Sequence, residues 1–313
     1  MIRIGIDVGG TGIQVGALNH HRTILSEKSI RTHTDIPFSE QVSQIAECVI
    51  ATAESAGFSK DQIESVGIGI PGIANSATGE IIKCTNMGWN HVPFRDEFLK
   101  HLTVPVLIDN DANVAALAES VAGVSSGTSS SVFITIGTGI GSGIIINGKI
   151  WNGHHGIGAE LGHVILSLNG VPCSCGNHGC LERYCSATAL IRMAREAIAL
   201  HPDTLMLNMV DNDIKKIEAR TVIDAARASD PVASEVYATY IDQLAQAIAN
   251  VVNFMDPEVI VLGGGVSKAG DFLLNPLRKA YSEYVLYRDQ TMPDIKLAIL
   301  GPEAGIIGAA MLS

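Results

Sequence analysis

Residues 2–16 read IRIGIDVGGTGIQVG, and residues 131–143 read SVFITIGTGIGSG. In each, an apolar run that suits a strand stops at a glycine turn, and a second apolar run follows. Gly10–Gly16 and Gly137–Gly143 agree at five of seven positions. A strand–turn–strand unit that begins again this far along the chain predicts two related α/β lobes, each opening with its own glycine turn.

Working outward, residues 22–30 read as a third strand and 38–56 as an amphipathic helix. Strands follow at 64–70 and 104–108, the second ending in Asp109-Asn110-Asp111 before a helix. Beyond the second glycine turn, strands are expected at 143–147 and 149–151. Helices are expected at 186–199, 221–228 and 231–255, where apolar residues recur from Val232 to Met255 at helical spacing. Residues 200–220 read as a polar surface excursion. A fully apolar strand at 258–262 ends in Gly263-Gly264-Gly265 with a helix beyond, and a strand at 294–300 and a small-residue helix at 303–312 close the chain. Strands alternating with helices predict a mixed α/β sheet. The expected division is an N-terminal lobe over 1–116, with 301–313 packing back on it, and a C-terminal lobe over 117–300.

With 313 residues, 47% hydrophobic and 17% charged, the chain has enough apolar content for two cores and is not a disordered type. A net charge of −11 argues against nucleic acid or an anionic membrane as the main partner. It leaves nucleotides open, because those are held by local amides and metal ions. No secretory leader pattern opens the sequence and no run reaches the length of a membrane span, so a cytoplasmic protein is expected. Of the six cysteines, Cys48 and Cys84 read as buried bystanders, and the other four cluster at 173, 175, 180 and 185.

Three glycine-rich turns follow apolar strands: Asp7-Val8-Gly9-Gly10-Thr11-Gly12, Gly137-Thr138-Gly139-Ile140-Gly141 and Gly263-Gly264-Gly265. Glycine lets backbone N–H groups approach an anion, and the threonine hydroxyls add donors. None of the turns matches a Walker P-loop or a dinucleotide fingerprint. Asp7, Gly9, Gly10, Thr11, Gly12, Gly137, Thr138, Gly139, Gly264 and Gly265 are therefore the candidate phosphate-binding residues, with Asp7 placed to hold Mg²⁺ through water. Residues 160–182, ELGHVILSLNGVPCSCGNHGCLE, hold His163, Cys173, Cys175 and Cys180, a four-donor N/S set that suits structural Zn²⁺. Cys185 is a spare thiol that could exchange with Cys180. At the strand end, Asp109 reads as a cap for the following helix.

Taken together, Asp7-x-Gly9-Gly10-Thr11, Gly69-x-Pro71-Gly72, Asn110-Asp111-Ala112-Asn113, Gly137-Thr138-Gly139, Glu160-x-Gly162-His163 and Cys173-x-Cys175-Gly176-x-x-Gly179-Cys180-x-Glu182 resemble the ROK family of sugar kinases and repressors. The resemblance runs from residue 5 to residue 310 and departs at Gln14, where many members carry Lys or Asn. It implies a two-lobed actin/hexokinase-like ATPase fold with ribonuclease H-like lobes. It implies Asp111 as the catalytic base, Asn110 beside it on the sugar, and Glu160, His163 and Glu182 on further sugar hydroxyls. Gly72 and Asn86 join them as substrate contacts, since Asn86-Met87-Gly88-Trp89 is similar to the family's glucokinases. The zinc would then hold the His163 ring so that its second nitrogen meets the sugar.

The activity implied is ATP-dependent phosphorylation of the 6-hydroxyl of a hexose, first of all glucose, a glycolytic step. N-acetylmannosamine, N-acetylglucosamine, allose or fructose are the alternative substrates, although the family's fructokinases space the Cys/His segment differently. The alternative of another class is a non-catalytic sugar-sensing regulator. Family repressors carry a helix-turn-helix domain before the first glycine turn, and here Asp7 is already the seventh residue. The resemblance also implies a homodimer or homotetramer.

Overall fold

The computed structural model describes residues 1–313. The chain runs through β1 (Ile2–Val8), β2 (Gly12–Leu18), β3 (Ile24–Arg31), α1 (Phe38–Ser55), β4 (Ile63–Ile70), β5 (Ile73–Asn75), β6 (Glu80–Cys84) and β7 (Trp89–Val92). Then come α2 (Phe94–Phe98), β8 (Val106–Asn110), α3 (Asp111–Ala122), β9 (Ser130–Ile136), β10 (Ile140–Ile146) and β11 (Lys149–Ile150). The rest is largely helical, with α4 (Glu182–Cys185), α5 (Ala187–Leu200), α6 (Leu205–Asn208), α7 (Ala219–Arg227) and α8 (Pro231–Met255). It closes with β12 (Val259–Gly263), α9 (Asp271–Tyr281), β13 (Asp294–Leu297) and α10 (Glu303–Ala310).

Two five-stranded sheets share one strand order, β3-β2-β1-β4-β8 and β11-β10-β9-β12-β13. In the first, β1–β2 and β2–β3 are antiparallel while β1–β4 and β4–β8 are parallel. The second repeats that pattern at its edges, with β10–β11 antiparallel and β12–β13 parallel. The glycine turns at 9–12 and 137–139 therefore occupy equivalent hairpins, as the repeated sequence unit implies.

The chain forms two compact units, one of residues 1–133, 143–159 and 299–313, the other of 134–142 and 160–298. These limits differ from a division at 116/117. Helix α3 stays with the first unit because it packs on α10 and β4: a Cβ built on Gly308 would lie 1.9 Å from the Val114 carbonyl oxygen, and one on Gly69 3.3 Å from the Val114 side chain. In the first unit the central strands are buried through Ile4, Ile6, Ile68 and Ile70, as expected for parallel strands covered on both faces. Helix α1 contributes Val42, Ile45 and Val49 to that core. Helix α10 lies so close to the sheet that a Cβ on Gly5 would sit 1.9 Å from the Ile306 carbonyl oxygen, and one on Gly67 1.7 Å from that of Ala309. Only glycine allows that approach.

A separate three-stranded sheet, β5-β6-β7, fills residues 73–92 of the first unit. Its strands run for three to five residues, too short for a periodic pattern to stand out in the sequence. In the second unit, α8 buries Tyr240, Leu244 and Ile248 along one stripe, and the Tyr240 hydroxyl donates to the Cys185 carbonyl at 2.8 Å. No helix is long and apolar enough to cross a membrane.

Candidate active site

In the first unit the functional residues gather at the carboxyl ends of β1, β4 and β8. The turn after β1 is closed by the Gly9 amide donating to the Gly12 carbonyl at 2.9 Å. The Thr32 hydroxyl donates to the Gly9 carbonyl at 2.8 Å and its amide to that of Thr11 at 3.3 Å. Thr32 is a supporting residue that the sequence did not single out, since nothing local marks it. Asp7 lies beneath this turn, and burial raises its carboxyl above the usual range. Its carboxylate packs against α10, where a Cβ on Gly305 would come within 2.6 Å of Asp7 Oδ2. A half-buried carboxylate next to a glycine turn suits a cation that also meets phosphate oxygens, which is what Mg²⁺ requires.

At the end of β8 the three polar residues divide their tasks. The N-cap of α3 is Asn110, whose extended backbone lets its Oδ1 accept from the amides of Ala112 at 2.8 Å and Asn113 at 3.3 Å. Its Nδ2 donates to the Gly72 carbonyl at 3.0 Å. This corrects the placing of Asp109 as the cap. Asp109 is the penultimate residue of β8, and its buried carboxylate accepts from the Asn110 amide at 2.7 Å and Asn113 Nδ2 at 2.8 Å. Asn152 Nδ2 stands 3.5 Å from its other oxygen. Burial pushes the Asp109 carboxyl up, and the Asn113 and Asn110 donors oppose that shift.

With its neighbours engaged in this way, Asp111 begins α3 exposed at the surface. It lies close enough to Cys84 for its charge to help raise that thiol, burial being the larger cause. The same stretch carries Asn86, whose Nδ2 lies 3.5 Å from where a Gly10 Cβ would be. Gly72 is required where it is, since a Cβ there would meet the Lys83 carbonyl oxygen at 2.0 Å. Asn86 thus lies by Gly10 and Asn110 bonds Gly72, while Asn152 is a neighbour of Asp109 that the sequence did not single out.

In the second unit the start of β10 is the organising point. The Gly137 amide donates to the Gly139 carbonyl at 3.0 Å, closing the second turn. Gly264, at φ +85°, packs on Ile136, where a Cβ would lie 2.5 Å from the carbonyl oxygen, so the β12 turn adjoins the Gly-Thr-Gly turn. Gly265 faces open space. The Glu160–His163 turn is held against the same strand. A Cβ on Gly162 would lie 2.4 Å from the Ile140 carbonyl oxygen, and the Leu161 amide donates to Ser142 Oγ at 3.1 Å. Glu160 is exposed and follows Ala159, a non-glycine residue at φ +64°. Backbone of this kind is uncommon and recurs where side chains are aimed for function. Glu182 begins α4, and its Oε2 accepts from the Ile140 amide at 3.0 Å.

The ligand atoms of His163, Cys173, Cys175 and Cys180 all lie within 4.8 Å of one another. Cys175 Sγ is 3.6 Å from Cys180 Sγ, and Cys173 Sγ is 3.8 Å from His163 Nδ1. Tetrahedral zinc with Zn–S bonds of about 2.3 Å sets its sulfur ligands about 3.8 Å apart, so both donor set and spacing fit. Burial and the neighbouring Cys175 and Cys173 push the Cys180 thiol up to about 12. Cys185 is outside the cluster. It is buried under α8, and burial alone drives its thiol far up.

A model of the ROK family matches residues 3–313. The chain belongs to the ROK family. Among ROK relatives, a glucokinase from Halalkalibacterium halodurans is 37% identical over 311 residues, covering 99% of this chain and 94% of that one. The crystal structure of a ROK family glucokinase from Streptomyces griseus in complex with glucose and AMPPNP superposes with a TM-score of 0.81 at 32% identity, covering 99% and 98% of the two chains. A ROK hexokinase from Thermus thermophilus gives a TM-score of 0.84 at 32% identity, covering 99% and 97%. The actin/hexokinase-like fold expected from the ROK motifs is the fold observed.

Proposed function

We propose that this chain is an ATP-dependent hexose kinase that phosphorylates the 6-hydroxyl of glucose. The observation that carries this reading is Asp111, exposed at the start of α3 beside the Asn110 side chain that reaches the Gly72 carbonyl. Likeness over nearly the full chain to a glucokinase, and to a kinase crystallised with glucose and AMPPNP, supports both substrates.

Asp111 is assigned to accept the proton of the sugar 6-hydroxyl as its oxygen bonds the γ-phosphorus and the bond from that phosphorus to the β–γ bridging oxygen breaks. Glucose and ATP then give glucose 6-phosphate, ADP and a proton. Phosphoryl transfer of this kind needs an oriented hydroxyl, one acceptor and donors for the phosphate charge. The amides of Gly9–Gly12, Gly137–Gly139 and Gly264–Gly265 are assigned to the phosphates. Mg²⁺, held through water by Asp7, would neutralise charge on them. Glu160, His163, Glu182, Asn86, Asn110 and Gly72 are assigned to the sugar, since each hydroxyl both donates and accepts. The His163, Cys173, Cys175 and Cys180 set is assigned to a structural zinc, whose closed shell leaves no position for substrate. The same reading makes the protein a cytoplasmic homodimer or homotetramer at the entry to glycolysis.

A coupled ATP-consumption assay over glucose, mannose, allose, fructose, N-acetylglucosamine and N-acetylmannosamine tests it. Glucose is expected to give the highest kcat/KM. Higher turnover on an N-acetylhexosamine would move the substrate, and sugar binding without ADP release from any of them would make the chain a sensor rather than a kinase.

A further inference from the structure

We propose that Glu182 is a positioning residue for the Gly137–Ile140 turn, so that one carboxylate supports nucleotide binding as well as facing the sugar. The proposal rests on the reading of that turn as phosphate-binding.

The turn is fastened from one side by residues 182–188. Glu182 Oε2 accepts from the Ile140 amide at 3.0 Å, the Ala187 amide donates to the Gly137 carbonyl at 2.9 Å, and Thr188 Oγ1 donates to the Thr138 carbonyl at 2.7 Å. Three of the turn's four residues therefore take their orientation from the start of α4 and α5. A Cβ at position 139 would stand 2.3 Å from Glu182 Oε2, so a side chain there has to displace this carboxylate. Gly139 has no left-handed backbone, and the crowding its substitution would meet comes from Glu182. Glu182 also stands two residues after Cys180, which ties the turn to the cysteine cluster through one short segment.

A carboxylate beside a phosphate-binding turn repels the phosphate. If Glu182 served the sugar only, its removal would leave nucleotide binding unchanged or tighter. If it aims the turn, removal costs affinity, because amides bind an anion well only when already oriented. Its second oxygen, Oε1, is the one assigned to a sugar hydroxyl.

The test measures dissociation constants for Mg²⁺–AMPPNP without sugar, and for glucose without nucleotide, by calorimetry. The proteins are wild type, Glu182→Gln, Glu182→Ala, Gly139→Ala and the Gly139→Ala/Glu182→Ala double variant, with matched metal content and thermal melts. Glu182→Ala and Gly139→Ala are each expected to weaken AMPPNP by about fivefold to tenfold, the size of a charged hydrogen bond that acts indirectly. Glu182→Gln keeps an acceptor for the Ile140 amide and should stay within about twofold of wild type. The double variant should bind no more weakly than Glu182→Ala, since the added methyl then has room; that non-additivity is the mark of contact. Unchanged or tighter AMPPNP binding in Glu182→Ala, or additive losses in the double variant, would overturn the proposal. Wild-type protein that binds no AMPPNP would instead overturn the phosphate-turn reading, and the proposal with it.

Discussion

The two Gly-Thr-Gly turns have nearly the same sequence and stand in sheets of the same strand order, yet different side chains support them. Two residues before Gly9, whose amide closes the first turn, is Asp7, a carboxylate raised by burial; two residues before Gly137, whose amide closes the second, is Thr135, a half-buried side chain that carries no charge. The first turn is braced by Thr32, the residue that follows β3, and the second by the starts of α4 and α5 through Glu182, Ala187 and Thr188. A duplicated scaffold therefore supplies two anion-friendly hairpins, and single substitutions beneath them divide the work. The first unit holds the carboxylates assigned to metal and base, Asp7 and Asp111. The second holds a turn bonded by Glu182, Ala187 and Thr188, just beyond the cysteine segment.

Exchanging the matched positions is the strongest way to break this contrast. Asp7→Asn is expected to lower kcat/KM for ATP about 10²–10³-fold, the scale of losing one charged contact at the phosphates. Thr135→Val at the equivalent place removes no charge and should cost about 1 kcal/mol of stability or less, leaving turnover near wild type. Steady-state kinetics beside denaturant melts read both, and equal kinetic losses would mean that the turns are not differentiated.

Cys180→Ser is the next largest effect and sharpens the second half of the contrast. Loss of about one zinc per chain by elemental analysis, with a fall in melting temperature, is expected, because metal binding energy is folding energy in such a segment. A folded, fully active, zinc-free protein would contradict the metal assignment.

Asp109→Asn should give the smallest change, and it is one of pH. Burial raises the Asp109 carboxyl, so its contribution to stability is full below the unfolded value and is lost as pH rises through the folded one. Asparagine does not ionise and keeps an acceptor for Asn110 and Asn113. The variant should therefore gain on wild type as pH is raised from about 4 to 7. A difference in melting temperature that stays flat across that range would remove burial as the cause.

These residues also show how far the sequence reaches. Asp7, the glycine turns and the four metal ligands were readable because each is a short local pattern tied to a strand end or a fixed spacing. That the chain holds two related α/β lobes followed from one repeated unit, while their strand order did not show until the fold was known. The supports were not readable, because they come from far along the chain: Glu182 reaches Ile140 across 42 residues, and Asn152 reaches Asp109 across 43. Which of three adjacent polar residues would cap α3 was equally hidden. Asp and Asn cap about equally well, and backbone geometry rather than residue type chose Asn110. The strands β5 to β7 escaped because each is shorter than its own periodic signature.

The division of labour rests most heavily on Asp111, and one variant tests it. Asp111→Ala, with kcat from a coupled assay and glucose affinity by calorimetry, should lose about 10²–10⁴-fold in kcat, the usual reach of a general base. Its glucose dissociation constant and melting temperature should stay close to those of wild type. Near-normal turnover in a folded Asp111→Ala protein would contradict the assignment of the base and, with it, the placing of the chemistry in the first unit.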